Sequence, residues 1–182
     1  MLEMRLLTAP LTATQRRNSP GIVTKGKNYC FLPFVMEGGN WFRGNRTLAK
    51  MPKNIAPTLE NKEFKNFDKF RQTFWQQVAE NKILSSYFVE KDILRMNEGK
   101  GPLAPVSQHL GHNYWRARSE KPILLPNSTA VLLDGEEIET QAYHLHHMQP
   151  ISEGGEVYEL SNIVIVSPKY HFEFLHNWGN RS

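Results

Sequence analysis

The most regular alternation of apolar and polar positions in this 182-residue chain lies at 66–80, NFDKFRQTFWQQVAE. Phe67, Phe70, Phe74 and Val78 recur at three- and four-residue intervals and Trp75 widens the stripe, which predicts an amphipathic helix packed on the core. Asn66 is a suitable N-cap, and Asp68 suits the positive end of the helix dipole. A second helical stretch is expected over about 83–97, closed by Gly99. Residues 99–127, rich in Gly and Pro, read as loop. Asp134-Gly135 between alternating segments signals a hairpin. Strands are expected at about 143–148 and 162–167, joined by a glycine-containing loop. Pro168 ends the second strand and opens a helix over 168–178. Upstream, 1–28 has little periodicity and reads as an extended basic arm carrying Arg16 and Arg17, followed by one domain over 29–182. Residues 29–59, broken by Gly and Pro, are expected to form loops and short helical turns. Phe31, Phe34, Trp41, Phe64, Phe67, Phe70, Phe74 and Trp75 are read as core.

Composition narrows the function classes. The hydrophobic fraction of 40% with 22% charged residues is that of a globular chain. The net charge of +4 is unevenly spread: residues 1–53 hold nine Lys/Arg against Glu3 and Glu37, whereas 54–182 hold thirteen Lys/Arg against sixteen Asp/Glu. A basic N-terminal part facing a mildly acidic remainder fits a polyanionic partner. Cys30 is the only cysteine, so an internal disulfide framework and a cysteine zinc site are excluded. No run approaches the roughly 18 apolar residues of a membrane span. The first residues lack a basic segment before their short apolar patch, and no signal peptide is read there.

The candidate chemistry is concentrated in 143–176, YHLHHMQPISEGGEVYELSNIVIVSPKYHFEFLH. Two strands and a helix, with histidines on the first strand and on the helix, make a compact metal finger over about 143–178. On a strand, His146 and His147 point to opposite faces, so one imidazole can face a metal and its neighbour a water. Phosphodiester hydrolysis needs an activated water, a cation to take up charge on the leaving 3′ oxygen, and donors to the phosphate oxygens. His147 is the candidate general base. His146 and His171 are the first metal ligands, and imidazole donors favour zinc or nickel as the bound ion, with magnesium or manganese able to serve in catalysis. Asn162 can bond across the 148–161 loop, and Gly154 and Gly155 let that loop turn tightly. His109 and His112 sit in a loop beside Trp115 and Arg116 and are read as surface positions.

These residues resemble the HNH cytotoxic domain of DNase-type colicins and S-type pyocins. LHHMQPISEGGEVYELSNI matches that family's LHH-x-x-PIS-x-GGEVYD-x-x-NI pattern. NKEFKNFDKFRQTFWQQV at 61–78 is similar to its DKEFKSFDDFR…W-x-x-V segment, RRNSPG at 16–21 to its KRNKPG arm, and MPKNIAPTL at 51–59 to its IPDRIA-x-x-L segment. The resemblance implies an α+β fold: a mainly helical body around a C-terminal ββα-metal finger of the HNH (His-Me finger) type, with an added β-hairpin. It implies a metal-dependent DNA endonuclease of little sequence preference, acting as a bacteriocin or genotoxin. Such a protein is released from its producer and acts in the DNA compartment of a target cell. Carried over by position, His146 and His171 hold one divalent metal ion, His147 is the base, Asn162 orders the loop, and Arg17 contacts phosphate. Arg16, Arg116 and Arg118 are further candidate DNA contacts. The family implies a small acidic immunity protein docking at about 86–108.

The chain departs from the family pattern in several places. The family's H-x-x-x-H on the last helix is HFEFLH here, with Leu175 at the expected ligand position and His176 one residue beyond. On a regular helix, i and i+4 lie about 40° apart, whereas i and i+5 lie about 140° apart, so His176 joins His171 on one ion only if the helix bulges or ends. The family's Glu before the histidine pair is His144, on the same strand face as His146 and an alternative ligand. The family's Arg four residues earlier is Thr140, the stretch 106–142 is longer, and Lys100 and Leu103 stand where the family places aromatics. Two other readings follow: a DNA-binding module that keeps the finger as a structural zinc clip, and a nuclease acting on RNA.

Overall fold

The computed structural model describes residues 9–27, 32–43, 46–109, 123–125, 129–131 and 137–171. Its centre is the predicted amphipathic helix, α3, at Phe67–Glu80, preceded by α1 (Ala13–Asn18) and α2 (Ala56–Leu59). The Asn66 side chain accepts from the Lys69 N–H at 3.0 Å and so satisfies one of the unpaired donors of the first turn. Phe67, Phe70, Phe74, Trp75 and Val78 are all fully buried, as the spacing required. Trp41 and Phe64 are buried as expected, but Phe34 is 65% exposed; Phe31 lies outside the described residues.

The second helical stretch is broken in two. Asn81 caps α4 (Lys82–Ser85) by accepting from the Ile83 and Leu84 N–H groups. The chain then leaves the helix before α5 (Glu90–Asn97). The Ser86 hydroxyl donates to the Ile83 carbonyl at 2.6 Å, competing with a continued backbone ladder. Tyr87 and Phe88 turn inward against Trp41 instead. Gly99 ends α5 with φ +77°, where an added Cβ would stand 2.9 Å from the Gln72 Cβ of α3.

Among the described residues there are three small antiparallel sheets. β1 (Gly21–Ile22) pairs with β4 (Glu63–Phe64). The largest has the order β2 (Phe42–Arg43), β3 (Leu48–Lys50), β9 (Ile163–Val166), β8 (His144–His147). The third joins β5 (Ile123–Leu125), β6 (Thr129–Val131) and β7 (Glu137–Glu139). β5 falls inside the stretch read as loop. β6 and β7 pair in the region expected to form a hairpin, while the Asp134-Gly135 turn lies outside the described residues. The helix expected over 168–178 is described as α6 (Pro168–Tyr170), leading into His171.

In the described part of the N-terminal segment, Ala13–Asn18 are helical. Thr12 and Gln15 form a reciprocal capping box that starts α1. After it the chain joins β4, and Thr24 bridges Glu159. The Tyr158 hydroxyl donates to the Ser19 carbonyl at 2.8 Å. Gly21 is needed here, since a Cβ would fall 2.3 Å from the Tyr158 ring. The segment is thereby held against the side of the molecule on which His147 lies. Among the described residues no helix is long and apolar enough to cross a membrane.

Candidate active site

β8 presents its side chains alternately, with His147 and Leu145 buried and His144 and His146 half-buried. Its register against β9, His144 to Val166 and His147 to Ile163, fixes which histidine faces which way. The His147 ring packs 4.7 Å from the Phe67 ring of α3 and is 6% exposed. His146 faces the other direction, toward His171 at the end of α6, their ring centroids 4.5 Å apart. The His144 ring lies 5.5 Å from that of His171. The adjacent pair is thus divided between two environments, as strand alternation demands.

His147 Nε2 lies 2.9 Å from the Val157 carbonyl oxygen. A carbonyl only accepts, so Nε2 carries the proton and the neutral ring keeps its lone pair on Nδ1. Burial pushes the His147 pKa down to about 4; the Val157 bond opposes this, and the Arg17 and Arg16 charges reinforce it. At neutral pH the imidazole is therefore uncharged and able to take a proton. Arg17 stands over the same Phe67 ring, its guanidinium carbon 4.6 Å from the centroid.

The loop between β8 and β9 is held by Asn162. Its Oδ1 accepts from the Gln149 N–H at 2.7 Å, and its Nδ2 donates to the Gln149 carbonyl at 3.1 Å and the Glu156 carbonyl at 3.0 Å. Gly154 turns with φ +88°, and Gly155 passes so close that a Cβ would stand 2.0 Å from the Gln149 oxygen. Arg16, expected to contact DNA, is turned onto this loop: Nη1 donates to the Ile151 carbonyl at 2.9 Å and Nη2 to the Gly155 carbonyl at 3.0 Å.

His171 is fully buried and stays in helical geometry, its N–H donating to the Ser167 carbonyl at 2.9 Å. Ser167 starts this helix by accepting from the Tyr170 N–H at 3.2 Å, while its hydroxyl donates to Gln108 Oε1 at 2.8 Å. Nδ1 of His171 and Nε2 of His144 are both shielded from solvent. The His146 and His171 rings are neighbours, and among the described residues no group of three His, Cys, Asp or Glu converges to hold an ion. His176, Arg116, Arg118 and His112 lie outside the described residues. His109, read as a surface position, spends Nε2 on the Ala104 carbonyl at 2.7 Å.

Sequence reasoning missed Val157, Phe67, Gln108 and Ser167 as supports of this site. Val157 acts through its carbonyl, which leaves no side-chain signal. Phe67 looked like one more core position. Ser167 before Pro168 was the readable clue, since a serine preceding a helix-opening proline is a common cap.

The family model for the Colicin/Pyocin-S2 DNase domain matches residues 34–123 and 116–177. Colicin-E7 of Escherichia coli is 30% identical over 168 residues, 91% of this chain and 23% of that protein. Pyocin-S2 of Pseudomonas aeruginosa is 31% identical over 143 residues, 78% of this chain and 17% of that protein. The chain therefore spans about a fifth of the length of these relatives. A solved pyocin AP41 DNase–immunity complex superposes with a TM-score of 0.61 at 26% identity, covering 90% of this chain and 97% of that one. The nuclease domain of pyocin S8, solved as a mutant with its cognate immunity protein, gives a TM-score of 0.59 at 28% identity over 85% of this chain and 98% of its own. The chain belongs to the colicin/pyocin DNase domain family.

Proposed function

We propose that this chain is the metal-dependent DNA endonuclease domain of a bacteriocin, with β8, β9 and the helix from Pro168 forming an HNH-type metal finger. The observation that carries the reading is the environment of His147: buried, uncharged at neutral pH, and held by Val157 so that Nδ1 is the basic nitrogen. In this role Nδ1 removes a proton from water, the water oxygen bonds to phosphorus, and the bond to the 3′ oxygen breaks. An imidazole with a pKa of about 4 is a weak base. An arriving phosphate anion raises that value by stabilising the imidazolium, so the base gains strength when substrate is present. Arg17, stacked on the Phe67 ring against which His147 packs, pairs with the phosphate in this reading. His146 and His171 hold the divalent ion, with His176 or His144 completing its ligands; when bound, that ion supplies charge neutralisation at the leaving oxygen.

The partners follow the same reading. The basic excess in residues 1–53 suits double-stranded DNA, bound largely through phosphates and therefore weakened by salt. The two structural relatives were solved with immunity proteins. The stretch expected to dock such a protein, about 86–108, exposes Val89, Leu94 and Val106, which suits an apolar-centred docking patch. Site of action, by the same family reasoning, is the DNA of a target cell.

The test is nicking of supercoiled plasmid by the protein with magnesium, manganese, nickel or zinc, beside His147→Ala. Cleavage by the wild type and its loss in the variant are expected. No cleavage with any metal, or full activity in the variant, overturns the proposal. Degradation of tRNA in preference to plasmid would reassign the substrate to RNA.

A further inference from the structure

We propose that Arg16 is a positioning residue that clamps the β8–β9 loop and through it the base, rather than a contact to the nucleic acid; this rests on the nuclease reading above. The guanidinium is planar, and two of its nitrogens reach two different carbonyls, Ile151 at 2.9 Å and Gly155 at 3.0 Å. These acceptors flank the glycine turn. Asn162 grips the same loop at Gln149 and Glu156. The Arg16 acceptors at 151 and 155 thus lie between the Asn162 partners at 149 and 156. The next residue is Val157, whose carbonyl sets the tautomer and direction of His147.

Arg16 is itself firmly mounted. The capping box of Thr12 and Gln15 fixes the start of α1, and Tyr158, next to Val157, donates to the Ser19 carbonyl just past its end. Arg17, one residue along, covers the Phe67 ring on which His147 packs. The short helix therefore braces the base from two sides, through the loop by Arg16 and through the aromatic ring by Arg17. A lysine cannot reproduce the first contact, because a single ammonium cannot span both carbonyls in the plane of a fork. This separates clamp from charge: Arg16→Lys keeps the charge and loses the clamp.

The experiment compares wild type, Arg16→Lys, Arg16→Ala and Arg17→Lys as full chains. Three quantities are read: kcat and KM for plasmid nicking at saturating metal, the salt dependence of DNA binding in chelator, and amide hydrogen exchange across 149–157. For Arg16→Lys the expected result is a kcat lower by about tenfold or more, since misplacing a catalytic group by 1 Å costs about 10². KM should stay within about twofold and the salt slope should be that of wild type, as expected when no phosphate contact is removed. Exchange at 149–157 should speed up in Arg16→Lys and Arg16→Ala and stay slow in Arg17→Lys. Wild-type kcat and exchange in Arg16→Lys, with a salt slope reduced by about 1 in Arg16→Ala, would make Arg16 a phosphate contact and overturn the clamp. If the wild type itself fails to cut DNA, the nuclease reading falls, and the exchange comparison alone still decides whether the clamp exists.

Discussion

Replacing Asn162 tests the loop most directly, because its side chain makes three bonds to the backbone of one short segment. Oδ1 receives the Gln149 N–H at 2.7 Å, and Nδ2 reaches the Gln149 and Glu156 carbonyls at 3.1 and 3.0 Å. At about 1 kcal/mol net for each bond, and with the residue only half-buried, Asn162→Ala should cost about 2–3 kcal/mol. For a chain of this length that lowers Tm by roughly 4–10 °C. Asn162→Asp is the sharper probe. It keeps the shape and the acceptor for Gln149 N–H, but it turns a donor to two carbonyls into a negatively charged oxygen facing them. It should therefore be no more stable than the alanine variant at pH 7. Thermal unfolding by circular dichroism measures the stability, and plasmid nicking at saturating metal measures the site. Both variants should lose activity beyond what their remaining folded fraction explains, since Val157, which aims His147, follows directly after Glu156. A wild-type Tm and activity in Asn162→Asp would refute the reasoning, because the carbonyl bonds would then carry nothing.

The neighbouring glycines should rank unequally: Gly155→Ala drives a Cβ to 2.0 Å from the Gln149 oxygen, whereas at Gly154 nothing lies within 4 Å and only the φ of +88° objects. Urea unfolding should show a loss of about 1 kcal/mol for Gly154→Ala and a clearly larger loss, with collapse of nicking, for Gly155→Ala. His147 makes stability depend on pH. Its folded pKa of about 4 lies below the ordinary 6.5, so its contribution is complete above about pH 6.5 and is lost as pH falls through 4. The difference is worth about 3 kcal/mol, and metal-free urea titrations at pH 7.5, 5.5 and 4 should show that much flattening in His147→Gln; parallel curves for the two proteins would contradict it. Ser167→Ala removes the cap that accepts from Tyr170 N–H and the bond to Gln108. It should cost about 1–2 kcal/mol and weaken zinc binding measured by calorimetry, because the first turn of the His171 helix loosens.

What could be read in the sequence was local. Helix α3 showed itself because five buried side chains repeat with the helical period inside fourteen residues. The order of His146, His147, Asn162 and His171 was legible for the same reason, since two strands and a turn lie within one short window. What could not be read depends on distant partners. Arg16 meets Ile151 across 135 residues and Gly155 across 139, and nothing in the arm's own sequence names those acceptors. The strands β1 and β4 are two residues each, too short for any alternation to appear. The break between α4 and α5 follows from Tyr87 and Phe88 finding Trp41, a contact that helical periodicity alone could not anticipate.

Under the proposed function, the arrangement would separate two demands that compete at a hydrolytic site. A metal ligand must converge with other ligands, whereas a base must hold one tautomer and one direction whether or not the ion is present. Strand alternation sends His146 toward His171 and His147 toward α3, so the two needs fall on opposite faces of β8. The supports of His147 are then a carbonyl, an aromatic ring and a loop tied down by Asn162 and Arg16, none of them a metal ligand. Burial is the cost, since it depresses the proton affinity of the ring. The nearby arginines depress it further, and in the proposed nuclease Arg17 would draw in the phosphate that restores it. In the proposed nuclease, a base prepared in this way would be weak when the site is empty and would strengthen on contact with a polyanion, a coupling that comes from where the charges lie.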